Sequence, residues 1–394
     1  MLVTSYPDRT MSGVQQNSND QLTAAVTAAL SRVQDPEIRR PITELGMLDQ
    51  LLIGDDGTAR VRVLLTVGGC PMREKLSTDV TAAVAAVPGI SSVELEFGVM
   101  TDAQRTELRT KLRGDQPVNE IPFAQPGSPT RVYAVASGKG GVGKSSVTVN
   151  LAVALAARGL QVGVLDADIY GFSVPRMLGV TGKPTQVEKM IMPPQAHGVK
   201  VISIGMFTPG NTAVVWRGPM LHRALQQFLA DVYWGDLDVL LMDLPPGTGD
   251  IAISLAQLVP SAELLVVTTP QLAAREVAER AGSIALQTHQ QIVGVVENMS
   301  WLEQPDGSRL ELFGAGGGQA VAESLSASTG TRVPLLGQVP LEVAIREGGD
   351  AGTPVVLSAP DSPAAQALAG VAETLAARQR SLVGRPLGLS VAGR

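Results

Sequence analysis

Leu22, Val26, Leu30 and Val33 recur at helical spacing, and the pattern predicts a helix over 21–33. Residues 1–19 are polar and aperiodic, which predicts disorder. A turn-rich run, DPEIRRPITELGML, follows the helix. Residues 60–67, RVRVLLTV, are β-branched and predict a strand. Gly68-Gly69-Cys70-Pro71 then leads into a helix, MREKLSTDVTAAVAAV, with Pro71 in its first turn, where a missing N–H costs nothing. SSVELEF predicts a second strand after the Pro88-Gly89 turn. These elements make a small α+β domain over 20–113. Residues 114–129, GDQPVNEIPFAQPGSP, have four prolines and no periodicity, and read as an extended linker.

Beyond Thr130 the texture changes. Apolar runs at 131–137, 161–167, 199–205, 238–244, 263–269, 292–298 and 334–340 predict strands. Helical stretches such as SSVTVNLAVALAARG and AAREVAERAGSIALQTH lie between several of them. Apolar strands alternating with helices predict an α/β domain over 130–380, a mostly parallel sheet with helices on both faces. The last residues, SLVGRPLGLSVAGR, read as a tail.

Composition excludes several classes. The chain has 394 residues, 44% of them hydrophobic, so it is a folded protein with room for more than one domain. A formal net charge of −6 and 3% aromatic residues argue against a nucleic-acid partner. No apolar stretch is long enough to span a membrane, so no membrane partner is expected. The amino terminus has no apolar signal-peptide core, and Met11 offers an alternative start. With one cysteine, Cys70, no intramolecular disulfide can form, which suits the cytoplasm.

The strongest chemical signal is Gly138-Lys139-Gly140-Gly141-Val142-Gly143-Lys144-Ser145, a full phosphate-binding loop between a predicted strand and a predicted helix. Its glycines let successive backbone N–H groups point at phosphate oxygens, and the helix start adds partial positive charge. Ser146 follows in the same helical turn. Lys144 is expected to reach the β- and γ-phosphates of ATP, and Ser145 to ligate Mg2+. Asp243 ends the run VLLMD, where a carboxylate supports Mg2+ through water. Asp166 and Asp168, in LDADIYG, are placed to orient an attacking water or reach the metal shell. Pro245-Pro246-Gly247 makes a stiff turn suited to sensing the γ-phosphate. His197, His222 and His289 match no metal or triad spacing.

GKGGVGKS, LDADIYGFSVPRMLG, MDLPPGTGD, VVENMS and LLGQVPLE together closely resemble the Mrp/ApbC-type iron–sulfur carrier ATPases, over roughly residues 130–375. The early lysine of the loop, Lys139, marks the deviant loop shared by the ParA, MinD and nitrogenase-iron-protein ATPases. Residues 20–113 resemble the small SufT-like domain, through Asp35-Pro36-Glu37, Leu45-Gly46 and Gly69-Cys70-Pro71. The resemblance implies a homodimer that hydrolyses ATP and passes iron–sulfur clusters to apoprotein clients. It implies that Lys139 reaches the partner's nucleotide, and that Asn298 and the loop near Val339 and Pro340 contact the adenine.

The sequence departs from that family at one place. Many members carry CxxC after the ENMS segment, whereas here Gln304 and Gly307 stand at the cysteine positions, with Pro305 still aligned. Neither offers a thiolate, so the usual cluster site is absent. Cys70 precedes a predicted helix start, where the dipole favours a thiolate, and it is the candidate cluster ligand; the bland alternative is a small buried apolar residue. One cysteine per chain gives two per dimer, which implies a labile cluster rather than a tightly held one. Two other readings stay open: a ParA/MinD-like switch and a cluster-free ATPase scaffold. The first is weakened by a tail broken at Gly384, Pro386, Gly388 and Gly393.

Overall fold

The computed structural model describes residues 11–66, 72–113, 120–125, 127–168, 171–187, 190–207, 218–247, 250–271 and 274–378. Cys70 and the carboxy-terminal tail lie outside them. The chain divides into two compact units. One holds Met1–Gln116 and Thr185–Met192; the other holds Pro117–Pro184 and Pro193–Arg394.

In the first unit, α1 (Met11–Leu30) begins well before the predicted helix. Its first residues, MSGVQQNSND, are polar but contain no proline, so nothing in them stops a helix that Val26 and Leu30 anchor by burial. Then come β1 (Leu48–Ile53), β2 (Thr58–Leu65), α2 (Arg73–Ala85), β3 (Ser92–Val99) and α3 (Asp102–Arg113). β1 pairs antiparallel with β2, and β2 pairs parallel with β3 across the α2 crossover. β1 and α3 carry no clear sequence signal: β1 exposes much of LDQLLI, and α3 is mostly polar.

The second unit opens with a 3-10 turn at Pro122–Ala124. Its Phe123 is buried edge-on against Trp234, with ring centroids 6.4 Å apart. The stretch expected to be a plain extended linker is therefore anchored, because Ile121 and Phe123 give it apolar weight that its prolines conceal.

The chain continues through β4 (Arg131–Ala136), α4 (Lys144–Ala157), β5 (Val162–Asp166) and α5 (Val174–Met177). A hairpin, β6 (Thr185–Val187) and β7 (Met190–Met192), belongs to the first unit. Next are β8 (Gln195–Ala196), β9 (Val199–Ser203), α6 (Gly218–Ala230), β10 (Val239–Asp243), α7 (Asp250–Leu258), β11 (Glu263–Thr268), α8 (Ala274–Thr288) and β12 (Ile292–Asn298). A small hairpin follows, β13 (Leu302–Glu303) and β14 (Arg309–Leu310). Last come α9 (Gly317–Thr329), β15 (Leu335–Val339), α10 (Val343–Ala351), α11 (Val355–Ser358) and α12 (Pro363–Ala377).

The large sheet runs β15-β12-β11-β4-β10-β5-β9-β8, parallel throughout except for the short antiparallel β8. β5, β9, β10 and β12 are buried along their whole length, as a sheet covered on both faces requires. All seven predicted strands are present. The mostly parallel α/β domain and the small α+β domain before it both form. Among the described residues no helix is long and apolar enough to cross a membrane.

The topology places the site. After β4 the chain crosses to β5, and β10 later enters the gap between them. Ligands in such sheets bind at the carboxyl ends of the strands, where the order switches. The register sets Asp243 opposite Val135 on one side and Asp166 on the other, with Ser203 next in the row.

Candidate active site

Gly138–Gly143 links the end of β4 to the start of α4. Gly141 and Gly143 have φ of +77° and +76°, and Gly143 caps α4 in the left-handed region. A Cβ on Gly143 would lie 2.3 Å from Asn298 Nδ2, so only glycine fits there. The next residue, Lys144, is thereby turned inward and is 6% exposed.

Three side chains of α4 converge on Asp243. Lys144 Nζ lies 2.7 Å from its Oδ1, the Ser145 hydroxyl donates to Oδ2 at 2.5 Å, and the Thr148 hydroxyl donates to Oδ1 at 2.8 Å. Asp243 is fully buried, so its charge needs these partners. Lys144 is near Asp243 by charge, yet its ammonium has no acceptor in hydrogen-bonding geometry among the described residues. A buried cation with unmet donors beside a glycine loop is what phosphate oxygens would satisfy. The adjacent Ser145 and Asp243 oxygens are hard donors of the kind that suit Mg2+, so the residues fit that ion.

Asp166 is also fully buried and accepts from Asp168 N at 3.1 Å and the Ser203 hydroxyl at 3.0 Å. Burial, and then the neighbouring Asp243 charge, push its carboxyl up to about 7, against these two hydrogen bonds. Asp168, at 9% exposure, accepts from Gly171 N at 3.1 Å. Of the two, Asp168 is the more open. The diproline turn is tied back to the loop, since Gly247 N donates to Ser137 O at 3.0 Å.

Beside the loop lies a cavity of about 300 Å3. Gly143 and Ser146 bound it on one side, and Asn298 and Pro340 on another, with Met177 of α5 and Ile345 of α10 among its apolar walls. Its size and apolar lining suit a small ligand. Asn298 is 4% exposed and donates from Nδ2 to Val142 O at 2.9 Å. Gly138, Lys139, Gly140 and Gly141 sit at the mouth of the loop. Lys139, expected to reach a partner chain, donates here to Gln271 Oε1 of its own chain.

The expected cluster position is closed by a turn. Gln304 N donates to Ser308 O at 2.8 Å, Gly307 N donates to Gln304 O at 2.9 Å, and Asp306 Oδ1 accepts from Ser308 N at 2.9 Å. Gly307 has φ of +79°, as the Pro-Asp-Gly sequence requires. Among the described residues no group of three His, Cys, Asp or Glu side chains could hold a metal ion.

In the first unit, Asp35 Oδ1 accepts from Glu37 N at 2.9 Å and Ile38 N at 2.8 Å, while burial raises its carboxyl. Burial and then the Asp35 charge push Glu37 up to about 7; its Oε2 accepts from the Thr185 hydroxyl at 3.4 Å.

The NUBPL iron-transfer P-loop NTPase family matches residues 128–376. The chain belongs to that family. A second family, iron-sulfur cluster assembly protein, matches residues 23–97. An iron-sulfur cluster carrier protein of Mycobacterium bovis is 65% identical over 379 residues, covering 96% of this chain and 99% of the relative. One of Deinococcus radiodurans is 45% identical over 358 residues, covering 89% and 94%. A nucleotide-binding protein of Archaeoglobus fulgidus, solved in complex with ADP, is 35% identical with a TM-score of 0.51, covering 60% of this chain and 92% of that one. For a member of the iron-transfer P-loop NTPases, the sequence motifs miss several side chains at the site: Thr148, Ser203, Gln271 and Arg280. Thr148 was findable, one helical turn after Lys144; the others lie on separate elements with no spacing to betray them.

Proposed function

We propose that this chain binds ATP with Mg2+, hydrolyses it as a homodimer in the cytoplasm, and carries iron–sulfur clusters to apoprotein clients. The observation that carries the reading is the convergence of Lys144, Ser145 and Thr148 on Asp243 beside a cavity that Gly143 and Ser146 share with the loop. The loop N–H groups and Lys144 bind the phosphates, and the cavity takes the adenine against Asn298 and Pro340. Ser145 and, through water, Asp243 would hold Mg2+, which when bound offsets charge on the phosphate oxygens. Asp168 orients the attacking water, and buried Asp166 keeps that segment in place. Lys139 of one copy reaches the nucleotide of the other, as a cationic finger supplied in trans.

The cargo reading is supported by the relatives, which are iron-sulfur cluster carrier proteins, and by both family matches. We assign the thiolate to Cys70, the one cysteine of the sequence, because Gln304 and Gly307 close a turn and supply none. That turn also favours a second reading, a nucleotide-gated scaffold holding no cluster. Uptake of iron and sulfide on anaerobic reconstitution supports the carrier; failure to take them up supports the scaffold.

The nucleotide assignment is tested by Lys144→Ala. Losing a charged hydrogen-bond donor should weaken ATP binding by about tenfold or more in equilibrium titration. Unchanged affinity and turnover overturn the assignment.

A further inference from the structure

Gly138 and Lys139 are gripped by one stretch of chain. Gln271, just past β11, accepts from the Lys139 ammonium, and Arg280 of α8 donates from Nη1 to Gly138 O at 2.8 Å. The Ser137 hydroxyl donates to Lys139 O at 3.0 Å and steadies the backbone between them.

Gln271 is itself backed by a rigid wall. A Cβ on Gly317, at the start of α9, would lie 2.6 Å from the Pro270 carbonyl carbon and oxygen and 2.7 Å from Thr269 O. That helix start is clamped in turn. Gly318 N donates to Glu297 Oε2 at 2.5 Å, and Gln338 Nε2 donates to Glu297 Oε1 at 2.7 Å. Glu297 is 1% exposed, so the clamp is buried. The backbone leading into Gln271 cannot retreat toward α9, which holds the base of the side chain that reaches the lysine.

We propose that Gln271 is a positioning residue that keeps the Lys139 ammonium on its own chain until a second nucleotide-loaded copy competes for it. The proposal rests on the dimer-dependent hydrolysis above. A neutral amide oxygen suits a contact that must be both made and broken. Lys139 and Gln271 are both half-buried, so the contact is neither sealed from water nor freely solvated. A carboxylate in its place would hold the ammonium by charge. An isosteric apolar side chain would release it.

The test uses two variants of similar shape, Gln271→Glu and Gln271→Met, in the full chain, with ATP hydrolysis followed against protein concentration. Gln271→Glu should raise the half-activating concentration and lower kcat by about two- to fivefold, the scale of a part-exposed ion pair. KM for ATP should stay put, and added salt should restore part of the loss. Gln271→Met should shift the half-activating concentration the opposite way. A merely structural role would move both variants in the same direction, and that result, or two wild-type profiles, overturns the proposal. Lys139→Ala separates the layers. Loss of hydrolysis in it, with both Gln271 variants at wild-type level, sinks this inference alone. Normal hydrolysis in Lys139→Ala overturns the dimer reading and the inference with it.

Discussion

Asp166 and Asp243 face each other across neighbouring strands, and of the two, only Asp243 has a cation within ion-pair distance among the described residues. The cost falls on Asp166, whose carboxyl is pushed up to about 7 from its ordinary 3.8. A raised carboxyl binds a proton in the folded chain that the unfolded chain has already lost. Its contribution is therefore fully present below about pH 4 and is lost as pH rises toward 7. Asp166→Asn, which keeps the shape without the charge, should stabilise the protein at pH 8 by at most about 4 kcal/mol and leave it nearly unchanged at pH 4. Thermal melts of both proteins across that range check this, and a gain of equal size at both ends would contradict it. Sequence reading singled out both carboxylates by their place at strand ends. It had no access to Ser203 or to the pairing that sets them side by side.

Among the elements, α5 and α10 are the walls whose fit the cavity depends on. They meet where Gly179 and Gly352 pass each other: a Cβ on Gly352 would lie 2.5 Å from Gly179 Cα, and one on Gly179 would lie 2.8 Å from Gly352 O. Both have positive φ, +65° and +71°, so a side chain is strained there in addition to lacking room. The Arg176–Asp350 pair at 3.4 Å is exposed and adds little. Gly352→Ala should therefore cost about 2–4 kcal/mol in urea unfolding and weaken ATP binding by displacing Met177 and Ile345. Unfolding curves and nucleotide isotherms that match the wild type would show that the crossing is not the anchor. The apolar strands were legible because a sheet buried on both faces needs unbroken apolar runs. The two-residue strands β13 and β14 were not, although the Pro-Asp-Gly turn between them was there to be read.

For the whole molecule, the proposed nucleotide site lies in the second unit and the proposed cargo thiolate, Cys70, in the sequence of the first. The hairpin Thr185–Met192 lies in sequence between segments of the second unit but belongs structurally to the first. Cys70 is the single thiol that the chain brings to the cargo side. Cys70→Ser should lose iron and sulfide uptake on reconstitution and lose transfer to an apoprotein, while ATP hydrolysis stays within about twofold of wild type. Equal uptake by the variant would remove Cys70 as a ligand. No uptake by either protein would favour the scaffold reading.

The sequence alone determined the parts whose chemistry is contiguous. The phosphate loop needs its glycines, lysine and serine in one run, because a single turn of backbone must surround a phosphate. The carboxylates at strand ends are likewise local, set by side-chain type and strand position. What only the tertiary structure decided are contacts between residues far apart in the chain. Gln271 meets Lys139, Glu297 clamps the start of α9, and α5 faces α10 over the cavity. Such contacts exist because β11 pairs beside β4 and β12 beside β11, and because glycines allow backbones to touch. A polar side chain's partner across the fold leaves no periodicity or spacing in the chain, so it becomes visible only once the sheet is assembled.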